Sequence, residues 1–188
     1  MIDREQLALF LMLGKTAGSV ARAHPDSVPP ESLPISNVYD LAQLLPAEAR
    51  SAAKAAEVYK LFFVFEQYLR DLILGVLSEK DKDNWWSKVP SDVQKEVQDL
   101  EETEEMKVWM GIGSQDKISL TTYPQLLRII ECLWKDDFET VLRDRHLVQE
   151  ARHIAHLRNI ICHMNVVPDE EVARVKTVIR DWFRAVAP

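Results

Sequence analysis

Between residues 58 and 76 the apolar side chains Val58, Leu61, Phe62, Phe65, Leu69, Leu72, Ile73 and Val76 recur every three or four positions, which lays one stripe along an α-helix. Other long segments repeat that spacing, and only 5 glycines interrupt the 188 residues. The chain therefore reads as all-α: a compact antiparallel helical bundle with an N-terminal helical extension, long enough to bury a substantial core. Glu66 sits at the edge of the stripe, and Arg70 follows one turn later, able to pair with it.

A first helix is expected over residues 3–23, ending before His24-Pro25. Residues 25–34 hold four of the nine prolines and read as a linker. A second helical region runs from about residue 36 to 78, with Pro46 as the place for a break. The extension and linker are assigned to residues 1–55 and the bundle to residues 56–188. A polar turn follows, holding Trp85-Trp86, whose plain reading is packing under a loop. Pro90, Ser91 and Asp92 suit the start of a helix running to about residue 106. Gly111-Ile112-Gly113 opens a loop but is too little to make a phosphate-binding loop. Thr121-Thr122 can cap a helix over residues 124–134. A short helix is expected over residues 138–143 and a longer one over residues 146–164. Asp169, Glu170 and Glu171 then open the last one, with Arg180 and Arg184 late, as the macrodipole favours.

The net charge of -7 means that the surface as a whole repels nucleic acid, so a role on RNA needs a local basic site. Cys132 and Cys162 make no disulfide framework, which fits a reducing cytosol and a cytoplasmic protein. The apolar run over residues 7–13 is far shorter than the ~20 residues that cross a bilayer. Asp3 and Glu5 also outweigh Arg4 where a signal peptide carries positive charge. A packed or partner-binding helix is expected there, with no membrane.

Later in the chain, Arg158-Asn159-Ile160-Ile161-Cys162-His163 joins a permanently charged anion binder to the one side chain that titrates near neutral pH. Both are useful for breaking a phosphodiester. Twelve arginines and 5 histidines leave about 0.3 such spacings per chain to chance, so the surrounding helix has to carry the argument. At about 100° per residue, Arg145, Gln149, Arg152, His156, Asn159 and His163 fall within roughly 40° of one line. Leu147, Ala151, Ile154, Ala155, Leu157, Ile161 and Cys162 hold the opposite face, with Arg158 in its middle. An arginine so placed either answers a core carboxylate, for which Glu66 is the candidate, or reaches a phosphate in a groove or at a second subunit. Arg158 and His163 lie about 140° apart, so a continuous helix cannot bring both to one phosphate. Unwinding near His163 would, and so would a second copy across a two-fold axis. Residues 143–163 form a basic strip, with four histidines and four arginines against Asp144 and Glu150. His156 and His163 are about 10 Å apart along the axis, too far to share an ion, and no metal site is expected.

These residues resemble the signature of the HEPN superfamily, small α-helical bundles in which an Arg is followed by a polar residue and, after four to six positions, by His. Here the match is Arg158, Asn159 and His163. Upstream, Phe65-Glu66-Gln67-Tyr68-Leu69-Arg70, then Trp85-Trp86, then the stretch from Tyr123 through Arg128 and Glu131, with Trp134 and Phe138, resemble the RNA-interference-linked and abortive-infection-type branch in content and order. The resemblance covers roughly residues 56–186. One departure is Asn165, which stands two places after the His, where some members have a tyrosine.

The resemblance implies a metal-independent endoribonuclease acting as a homodimer on single-stranded RNA, without a cofactor, in a defence or toxin–antitoxin setting. Arg158, His163 and Asn159 would be catalytic, and Glu66 and Arg70 would support them. Arg145, Arg152 and His156 would touch RNA. An antitoxin or a larger defence complex would be a further partner. Many members of the superfamily are instead non-catalytic dimerisation or partner-binding modules, which is the alternative.

Overall fold

The computed structural model describes residues 4–23, 29–106 and 116–186, and every regular element among them is helical. His24-Pro25 and the Gly111-Ile112-Gly113 loop lie outside the described residues. The chain divides into two compact units, residues 1–54 and 55–188.

The first unit holds α1 (Arg4–Ala23), α2 (Leu41–Leu44) and the opening of α3 (Pro46–Lys80). Leu7 and residues 9–13 on α1 are exposed. Ahead of α2 the chain is pinned by one carboxylate. Asp40 accepts from the Ser32 hydroxyl at 2.7 Å and from the backbone N–H groups of Leu33 and Ala42 at 2.8 Å each. Pro34 and Asp40 also form an isolated antiparallel bridge. From residue 29 onward, the stretch read as a linker is therefore a loop folded back onto the start of α2, with Asp40 as its cap. Leu45 separates α2 from α3, and Pro46 takes the first helical position, where its missing N–H costs nothing.

In the second unit the stripe on α3 becomes the spine of the core. Val58, Phe62, Phe65, Leu69, Ile73 and Leu77 are buried, with Leu61, Leu72 and Val76 half-buried beside them. A 3-10 turn (Trp85–Lys88) precedes α4 (Ser91–Glu105) and α5 (Tyr123–Cys132). A π-helical turn (Trp134–Phe138) runs into α6 (Glu139–Leu142), and α7 (His146–His153), α8 (Ala155–Cys162) and α9 (Asp169–Val186) follow. Phe65 lies at the centre. Its ring meets Trp182 of α9 edge-on at 5.4 Å and Tyr123 of α5 at 6.1 Å, so three helices share one aromatic contact. Tyr123 is fully buried and donates its hydroxyl proton to the Ala151 carbonyl at 2.7 Å, which ties α5 to α7 and gives the buried phenol its partner. Burial, with the charge of Glu66 second, raises the pKa of that phenol and keeps it neutral.

Trp85 and Trp86 are half-buried against the core and meet edge-on at 5.3 Å, the arrangement of packing residues. At the start of α5, Gln125 reaches back so that its Oε1 accepts the Thr122 N–H at 2.7 Å. The helix expected over residues 146–164 is two helices, α7 and α8, parted at Ile154. There the ladder tightens, and the Leu157 N–H donates to Ile154 at 3.0 Å. That leaves the His153 carbonyl to the His156 ring, whose Nδ1 donates to it at 2.8 Å. No described helix is long and apolar enough to cross a membrane.

Candidate active site

Arg158 leaves α8 between two buried neighbours, Leu157 and Ile161, with its own side chain 28% exposed. Its Nε donates to Glu66 Oε1 at 2.9 Å. The other carboxylate oxygen of Glu66 accepts from Arg70 Nη2 at 3.2 Å, and the Glu66 side chain is only 9% exposed. One buried carboxylate is therefore shared by two guanidinium groups, which leaves a net positive charge at this point. Arg70 is also held elsewhere, with Nε donating to the Ile118 carbonyl at 3.2 Å and Nη2 to the Thr121 carbonyl at 2.9 Å. It ties α3 to the loop before α5. Burial works against the charge on Arg158, but the hydrogen bond and charge of Glu66 outweigh it, and its pKa rises.

Among the described residues, Arg158 is committed through its inner nitrogen alone, and neither of its two outer nitrogens has a hydrogen-bond partner. The guanidinium lines a groove of about 210 Å³, with Tyr59, Phe63, Glu66 and Arg70 from α3 on one side and Cys162 of α8 beside it. Glu66 thus fixes Arg158 in orientation and leaves its fork open, which is the geometry for holding an anion.

His163 is placed differently. It caps α8 and does not line the groove. Beyond it Met164 takes the left-handed conformation at φ 60°. The Met164 N–H donates to Ile161 at 3.0 Å and the Asn165 N–H to Ile160 at 3.1 Å, a Schellman closure of the helix. Asn165 Nδ2 also donates to the His163 carbonyl at 3.2 Å. The His163 ring is exposed and makes no hydrogen bond or ion pair with a described residue. The Asn159 side chain is exposed too, and the Asn159 backbone carbonyl accepts the His163 backbone N–H at 3.0 Å.

Of the residues singled out by sequence, the fold brings Arg158, Glu66 and Arg70 together and leaves His163 and Asn159 outside that groove. Arg152 is engaged at two points by Glu131, with Nε to Oε1 at 3.1 Å and Nη2 on Oε2. Arg145 stands exposed at the start of α7, and His156 is held on the His153 carbonyl. Sequence reasoning passed over Tyr59 and Phe63. The signal was there: Tyr59, Phe63, Glu66 and Arg70 are spaced four, three and four apart, a second line on α3 beside the buried stripe. Among the described residues no cluster of three or more His, Cys, Asp or Glu side chains could hold a metal ion.

A family model described as Swt1-like HEPN matches residues 60–187, a span that contains the whole groove apart from Tyr59, together with α8 and His163. No curated protein and no solved structure matches the chain.

Proposed function

Because the chain belongs to the Swt1-like HEPN family, we propose that it is a metal-independent endoribonuclease that works as a homodimer, its site composed of Arg158 from one protomer and His163 from the other. The observation that carries this reading is the half-committed guanidinium, gripped at Nε by Glu66 and open at both outer nitrogens in a groove. Arg158 holds the scissile phosphate through those two nitrogens and stabilises the charge that builds on it in the transition state.

His163 takes the proton from the ribose 2′-hydroxyl or returns one to the leaving 5′-oxygen, the two tasks an imidazole performs in general acid–base catalysis. The 2′-oxygen–phosphorus bond forms as the phosphorus–5′-oxygen bond breaks, giving a 2′,3′-cyclic phosphate and a 5′-hydroxyl. Asn159, next to Arg158 in sequence, orients the phosphate or the imidazole. Arg145 and His156 lie along α7 and α8 as further contacts for a single strand. Such an enzyme endangers its own cell, and a defence or toxin–antitoxin setting supplies the restraint.

The test is cleavage of a labelled single-stranded RNA in excess EDTA by wild type and His163→Ala. Cutting by the wild type alone supports the reading. Loss of cutting on chelation, or equal cutting of a 2′-deoxy substrate, sinks it. The second reading, a non-catalytic helical interaction module, draws on one observation: within a chain His163 stands outside the groove of Arg158. It predicts intact dimers and no cleavage by either protein.

A further inference from the structure

The groove has an aromatic end that the proposed chemistry does not use. Tyr59 and Phe63 lie on α3 one turn apart, 54% and 51% exposed, although their neighbours Val58 and Phe62 are buried. Their ring centroids are 6.1 Å apart and the planes tilt by 31°, a loosely tilted pair with both residues about half open to solvent. Tyr59 stands two turns before Glu66 on the same helix, about 10 Å along its axis, and near enough to Arg158 to act on the charge of the guanidinium. One wall therefore offers flat aromatic surface, then the guanidinium of Arg158 on its buried carboxylate, with Gln67 and Ser119 as polar edges. A ligand that fits both ends carries a planar ring and an anion.

Resting on the ribonuclease reading above, we infer that Tyr59 and Phe63 form a stacking platform for a nucleobase adjoining the scissile phosphate, a sequence-tolerant contact that seats the strand in the groove. Charge favours RNA as the occupant over an apolar partner helix, because a helix seated on Tyr59 and Phe63 would leave the Arg158 fork unpaired in the contact. The charge of the chain as a whole works against RNA. At a net charge of -7, the chain cannot gather much affinity from scattered phosphate contacts, so stacking has to supply a large share.

The experiment uses wild-type protein with a short fluorescent 2′-O-methyl oligoribonucleotide, which cannot be cut because its 2′-oxygen is blocked. Binding is compared for wild type, Tyr59→Phe, and the double variant Tyr59→Ala/Phe63→Ala, each checked for helicity by circular dichroism and for dimers by sedimentation. The expected result is a loss of about tenfold or more in the double variant, near-wild-type binding by Tyr59→Phe, and an unchanged salt slope. An oligonucleotide with abasic sites should bind both proteins equally weakly. Equal affinity of wild type and double variant overturns the inference, and so does an equal loss on the abasic strand. Dissociation of the dimer in the double variant overturns it as well, by assigning the face to a protein contact. Aromatic-dependent binding without any cleavage of ordinary RNA would instead sink the nuclease reading and leave the platform standing.

Discussion

At the scale of single residues, Glu66 governs the site. It is buried, and two guanidinium groups depend on it. Glu66→Ala leaves Arg158 and Arg70 facing each other without a counter-charge. Removing one partner of a buried pair costs about 3–5 kcal/mol, and because Arg158 is partly solvated the lower end applies, about 3 kcal/mol. Glu66→Gln also removes the charge and sets an amide donor against one of the two guanidinium groups, so its cost should be about as large. Urea unfolding measures both losses; wild-type stability in either variant would refute the shared-carboxylate account. The pair Arg158–Glu66 was legible in the sequence. An arginine on an apolar helix face needs a carboxylate, and Glu66 stands at the edge of the long stripe on α3. The open outer nitrogens of Arg158 were not legible, because which atoms of a fork are engaged depends on the approach of two helices 92 residues apart in sequence.

At the scale of elements, the ends of helices decide where His163 stands. The closure of α8 forces Met164 into the left-handed region, where its side chain is 90% exposed and packs on nothing. For an L-residue that conformation costs roughly 1–2 kcal/mol, a penalty glycine escapes. Met164→Gly should therefore stabilise the protein by about 1 kcal/mol in chemical denaturation, with the Schellman bonds kept. A destabilised Met164→Gly would mean that the exposed side chain has a partner. The cap of α2 responds to acid instead. Hydrogen bonds from the Ser32 hydroxyl first, then from the Leu33 and Ala42 backbone, lower the Asp40 pKa in the fold. A folded value below the unfolded one gives stability that is present above the ordinary carboxylate range and lost as pH falls through the folded value. The amide signals of Leu33 and Ala42 should lose their hydrogen-bonded shifts together in an acid titration, and Ser32→Ala should move the midpoint upward. Helix positions were readable from spacing and capping, as with Thr122-Gln125. The parting of α7 from α8 at Ile154 was not, because no glycine or proline stands there to announce it.

At the scale of the whole molecule, the separation of Arg158 from His163 is the fact a mechanism must answer. The wheel already set them about 140° apart. The helix does end at Cys162, but the end leaves His163 outside the groove rather than turning it in. Under a two-fold axis each subunit presents the same patch to the other, and residues that cannot meet within a chain can meet across the contact. This gives a test that no single variant provides. Arg158→Ala and His163→Ala should each be inactive alone. Mixed in equal amounts and allowed to exchange subunits, half of the dimers become heterodimers, each with one site intact and one site lacking both groups. About a quarter of wild-type activity should return. A site built within one protomer gives no recovery at any ratio, because every chain then carries one of the two lesions. Recovery that follows the fraction of heterodimer, measured by sedimentation beside the cleavage assay, ties the chemistry to the contact between copies.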